Sequence, residues 1–89
     1  HTLLTFNTLT TMTKDLINII EKNIQYLKSC LNTTEAHITW GTSEVSTKYK
    51  KIKDNILDKI KEQEVDKDTL IDEYNEDVEN SIFLNSIFD

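Results

Sequence analysis

No proline interrupts this chain, and its only glycine, Gly41, stands near the middle. Gly and Pro are what normally punctuate turns and supply left-handed backbone, so 89 residues almost without them leave little room for an all-β fold or a phosphate-cradling loop. The expected fold class is all-α, and Gly41 marks the one natural place for the chain to reverse.

From Ile17 the apolar positions run Ile17, Ile20, Ile24, Leu27, Leu31, Thr34 and Ile38. This 3-4-3-4 spacing lays one stripe along a helix underwound to the coiled-coil repeat. Ile19 and Tyr26 lie beside it and widen it, which favours a bundle over a bare two-stranded zipper. The stripe predicts a helix over 12–39. At Gly41 a left-handed residue can end it, Thr42 or Ser43 can accept a hydrogen bond from the first free amides of a second helix, and Glu44 suits that helix's dipole. So short a connection makes the two helices antiparallel neighbours. The competing reading is one unbroken helix with a four-residue stutter, because Thr42, Val45, Tyr49, Ile52 and Ile56 restart the same repeat four residues late.

The second helix is expected over 43–63, with Val45, Tyr49, Ile52, Ile56 and Ile60 inward. Glu64-Val65-Asp66-Lys67-Asp68 reads as a polar connector, with Asp66 or Asp68 capping a shorter third helix over 68–84 that carries Leu70, Ile71, Tyr74, Val78 and Ile82. Asp68, Asp72 and Glu76 stand four residues apart, as do Glu73 and Asp77, and each like-charged pair costs a helix a few tenths of a kcal/mol. The architecture is thus an antiparallel hairpin plus a third helix, bundle-like or coiled-coil-like. The opening HTLLTFNTLTTMT holds six threonines in thirteen residues, a weak helix composition. With Met12 as a candidate start, residues 1–11 are expected to be a flexible leader and 12–89 a single helical domain.

Charge is unevenly placed. Residues 1–47 carry four acids and three lysines; 48–61 carry six lysines and two aspartates; 62–89 carry ten acids and Lys67 alone as a base. The net charges are −1, +4 and −9, which together give the overall −6. Such a division suggests that the two halves lie against each other or that the acidic part seeks a cationic surface.

Chemistry-bearing motifs are sparse. Cys30 has no second cysteine to bridge, which points to a reducing compartment, and Cys30 and His37 stand two helical turns apart, about 10 Å along the axis, too far for a thiolate–imidazole pair. Asp66-Lys67-Asp68 begins like a calcium-binding loop, but Leu70 and Ile71 occupy places where an oxygen ligand and a glycine are needed. Asn32-Thr33-Thr34 is formally a glycosylation acceptor, yet it lies on the helical stripe. There is no paired-carboxylate site in an apolar setting, so no enzyme, metal, cofactor or small-molecule substrate is expected. The chain has no arginine, and its lysine run adjoins nine net negative charges, which disfavours direct nucleic-acid binding. Apolar runs are far shorter than the roughly 20 residues that span a bilayer. An intracellular protein, cytoplasmic or nuclear, is the expectation.

The tail ENSIFLNSIFD writes Asn-Ser-Ile-Phe twice, five residues apart. On a helix that offset turns the two pairs about 140° from each other, so they cannot share one face. Ile82 and Phe83 are expected to close the internal core, leaving Ile87 and Phe88 for a partner. The expected function is non-enzymatic: a helical module that packs against a protein partner or a second copy of itself through Ile17, Ile20, Ile24, Leu27 and Leu31 and through Ile82, Phe83, Ile87 and Phe88. The alternative is an acidic inhibitor or nucleic-acid mimic whose residues 62–79 occupy a basic groove on another protein.

Overall fold

A computed structural model describes the backbone of residues 2–88 and the side chains of residues 8–87. It contains two helices, α1 from Thr2 to Trp40 and α2 from Ser43 to Phe88, folded back on each other. They form a rod of 68 × 14 × 13 Å.

The turn follows from three local interactions. Gly41 N–H donates to His37 O at 2.9 Å and closes α1. Thr42 caps α2: its carbonyl accepts from Ser46 N–H at 2.8 Å and its hydroxyl from Val45 N–H at 3.3 Å. The Ser46 hydroxyl then reaches back to Ile38 O at 2.9 Å, satisfying one of the carbonyls that every helix C-terminus leaves open. The left-handed conformation expected of Gly41 is absent, since no glycine has positive φ. Glycine is required for space instead: a Cβ would collide with the His37 carbonyl oxygen and come within 2.9 Å of Val45 Cγ1.

On α1, every member of the expected stripe faces α2. Ile24 and Thr34 are buried, while Ile17, Ile20, Leu27, Leu31 and Ile38 are half-buried. Thr34 is tolerated there because its hydroxyl donates to Cys30 O at 2.8 Å. The hairpin, rather than the single stuttered helix, is the structure. α1 also begins ten residues earlier than the stripe predicts. Residues 2–11, expected as a flexible leader, continue it as helix, and Thr13 occupies its hydroxyl on Leu9 O at 3.0 Å.

The third helix is a correction. α2 runs without a break through Glu64–Asp68. The apolar pattern lapses there, but the heptad does not: Tyr49, Lys53, Ile56, Ile60, Gln63, Lys67, Leu70, Tyr74, Asp77, Ser81 and Leu84 keep a strict 4-3 spacing, and all are buried or half-buried. A polar stretch ends a helix only where it brings a breaker or loses its tertiary partner, and here neither happens. Thr69 ties its hydroxyl to Val65 O at 3.1 Å. Lys67 lays its stem along the seam and carries its ammonium to Glu21 of α1 at 3.4 Å. The second cross-helix pair, Lys53 with Glu35 at 3.4 Å, lies two heptads away on both helices, so no slip in register separates them. Both pairs are partly exposed, and each contributes at most about 1 kcal/mol.

The tail also differs from expectation. Leu84 faces the seam, whereas Ile82 and Phe83 are 63% and 62% exposed and do not close the core. The register set at Tyr49 carries through to Leu84, and that phase turns Ile82 outward.

Candidate functional site

With one flank of each helix spent on the seam, the question becomes what the remaining surface carries. α1 has a second heptad stripe, set one residue behind the first: Leu9, Met12, Leu16, Ile19, Asn23, Tyr26, Cys30, Thr33, His37 and Trp40. No charged side chain interrupts it. Leu9, Met12, Leu16 and Ile19 are each about half exposed, Tyr26 is 70% exposed and Trp40 86%. Trp40 points to solvent. The turn is covered by the stack of His37 on Tyr49, with ring centroids 4.5 Å apart and planes 17° from parallel.

The two long sides of the rod are different. On one, Asn23, Tyr26 and Leu27 share a shallow groove with Lys59, Glu62 and Gln63. On the other, the groove is lined mainly by charge, including Glu21, Lys22, Lys28, Glu64, Lys67 and Asp68. The second stripe therefore lies on the same side as Lys59 and Glu62. Stepping along α2 by sevens from those two residues adds Lys48 and Ile52 toward the turn, and Asp66, Glu73, Glu76, Phe83 and Ile87 toward the open end. This composite face has an uncharged ridge on α1 and, on α2, a flank that is basic near the turn and acidic beyond residue 61.

The site residues expected from sequence divide between these surfaces. Ile17, Ile20, Ile24, Leu27 and Leu31 pack into the seam with α2. Phe83 and Ile87 are exposed on the composite face, at 62% and 54%. Ile82 is exposed on the opposite flank, and the Phe88 side chain lies outside the described residues. Sequence reasoning missed Leu9, Met12, Leu16 and Trp40 as members of one surface. The signal was present as 3-4 spacing running from Leu9 to Trp40, but only Ile19 and Tyr26 stand out beside the main stripe and Leu9 falls within the expected leader.

Cys30 is half-buried beside Tyr26, whose phenol is pushed above its ordinary range, first by its hydrogen bond with the Cys30 side chain and then by the charge that this thiol can carry. His37 is engaged by Tyr49. Among the described residues no three His, Cys, Asp or Glu side chains converge on a point that would hold a metal, and no helix is long and apolar enough to cross a membrane. Comparison with protein-family models, with characterised proteins and with solved structures returns no match to this chain.

Proposed function

We propose that this chain is a helical assembly module: a hairpin that presents a second apolar heptad stripe to helices outside itself. The observation that carries the reading is the stripe from Leu9 to Trp40. Solvent-facing residues of a helix that ends its packing at a two-stranded seam are normally polar. Here α1 is built as a helix with two apolar flanks, the pattern of one that packs against more than one neighbour.

The alternative of an acidic mimic has less support. The carboxylates of residues 62–79 are spread around α2, with Asp77 half-buried in the seam and Glu64 and Asp68 on the side away from Glu62, Asp66, Glu73 and Glu76. Imitation of a phosphate backbone would call for a ridge of acids facing one way.

The test is the native size of the chain in extracts of the cells that make it. The assembly reading expects a particle larger than a lone 10.4 kDa hairpin. It also expects Met12→Glu with Ile19→Glu to reduce that particle to the single hairpin while leaving its helicity intact, since both side chains lie outside the seam. A natural chain that already runs as a single hairpin in those extracts would overturn the reading.

A further inference from the structure

The geometry points to the identity of one neighbour: we infer that the composite face pairs with the same face of a second copy, antiparallel and about a two-fold axis, to make a four-helix bundle. The inference rests on the assembly reading and deepens it by naming the partner.

Three observations converge on that arrangement. The first is the symmetry of the stripe. Its midpoint falls between residues 24 and 25, and reversing it lays Leu9 on Trp40, Ile19 on Cys30 and Asn23 on Tyr26 of the other copy. Met12 then lies on His37 and Leu16 on Thr33, so every pair is uncharged and only the central Asn23 and Tyr26 pair sets two polar groups together.

The second is charge. The residues across the hairpin from that midpoint are Lys59 and Glu62, which share the groove with Asn23 and Tyr26. That is where α2 changes sign. The rotation that pairs the stripes therefore brings Lys48 beside Glu73 of the second copy and Lys59 beside its Glu62, each contact occurring twice as two-fold symmetry demands. Stacking the copies in parallel, about a two-fold along the rod, would instead lay each α1 on the α2 of the other copy. Stacking α1 on the other copy's α2 would press the uncharged ridge onto the charged flank. Only the antiparallel, like-on-like arrangement satisfies both ridge and flank.

The third is area. The hairpin exposes 6820 Å², whereas a compact protein of its mass exposes roughly 5,400 Å². The excess exceeds the roughly 800 Å² per partner that a standard stable interface buries.

The test uses the purified full chain and its natural cysteine. Sedimentation over about 1 to 100 µM should give twice the monomer mass. Ile19→Cys should form a covalent dimer on oxidation by joining Cys30 of the other copy. Within one chain the two positions are 11 residues apart on a single helix, about 16 Å, too far to bridge. Neither the natural protein nor Ile19→Cys with Cys30→Ser should cross-link. Lys48→Glu should weaken the dimer by about tenfold and Lys48→Glu with Glu73→Lys should restore it, in variants whose helicity is unchanged. A fully helical monomer at 100 µM would overturn the inference. So would a dimer that cross-links through Cys30 alone, which would place Cys30 beside its own counterpart, or one in which Ile19→Cys does not cross-link. If the purified chain is a monomer while its native particle is large, the face belongs to a helix of another protein, and the inference falls while the assembly reading stands.

Discussion

The turn-proximal half of the hairpin and its open half share one heptad register but are held by different means. Near the turn, Ile60 and Thr34 are buried, His37 stacks on Tyr49, Ser46 reaches across to Ile38 and Lys53 meets Glu35. Toward the open end, no described residue before Ile24 or after Ile60 is buried. The seam there holds Thr10, Thr13, Gln63, Lys67, Asp77 and Ser81, against Thr34, Ser46 and Lys53 in the other half. Among the described residues, eight of the twelve exposed large apolar ones also fall in this half. The comparison teaches that periodicity alone can carry a helix across a polar seam, while stability concentrates where the seam positions are apolar.

The largest expected effect is at the boundary of the two halves. Ile24 is 5% exposed, and Ile24→Asp would bury an unpaired carboxylate at a cost of several kcal/mol, a large share of what a domain of this size has. Cooperative thermal melting should disappear. A melt unchanged within error would mean that the seam is not packed at Ile24.

Truncation should then separate the halves. Ile60→Ala is expected to cost about 2–4 kcal/mol in denaturant unfolding, and Leu84→Ala, at a half-buried position of the open seam, about 1 kcal/mol or less. Equal losses would erase the distinction between the halves.

Smaller effects sharpen it. Ser46→Ala should lower stability by about 1 kcal/mol by leaving the Ile38 carbonyl without its cross-turn donor. Amide exchange should quicken around the turn and stay unchanged near Leu84. At the opposite end the sign should reverse. Among the described residues Thr10 Oγ1 is buried without a hydrogen-bond partner, so Thr10→Val, which keeps the shape and removes the hydroxyl, should raise stability by about 0.5–1 kcal/mol. A loss of stability there would mean that the hydroxyl is satisfied by water.

Much of this was legible in the residues. The stripe from Ile17 to Ile38 faces α2 at every position, because a 3-4 repeat defines one side of a helix whatever packs against it. The cap at Thr42 was legible because hydroxyl side chains and a following Glu have a local chemical meaning at a helix start. The continuity of α2 was not. Glu64–Asp68 has neither the apolar period of a helix nor a residue that forbids one, and local rules do not decide such a stretch. The candidate docking face was half legible: Ile19 and Tyr26 stood out beside the main stripe, but Leu9, Met12 and Leu16 sat among threonines whose weak helix propensity hid the repeat.

The sequence by itself determined that the chain is helical, the one place where it could reverse and which side of α1 is buried first, since these depend on backbone permissiveness and on spacing along one helix. Tertiary structure decided the rest. α1 supplies a continuous partner surface, and against it the register begun at Tyr49 runs on through Gln63 and Lys67, with Lys67 reaching Glu21 where a local reading sees a connector. That same register sends Leu84 inward and Ile82 outward, because a helix that does not break cannot rotate its tail to suit the hydrophobicity of one residue.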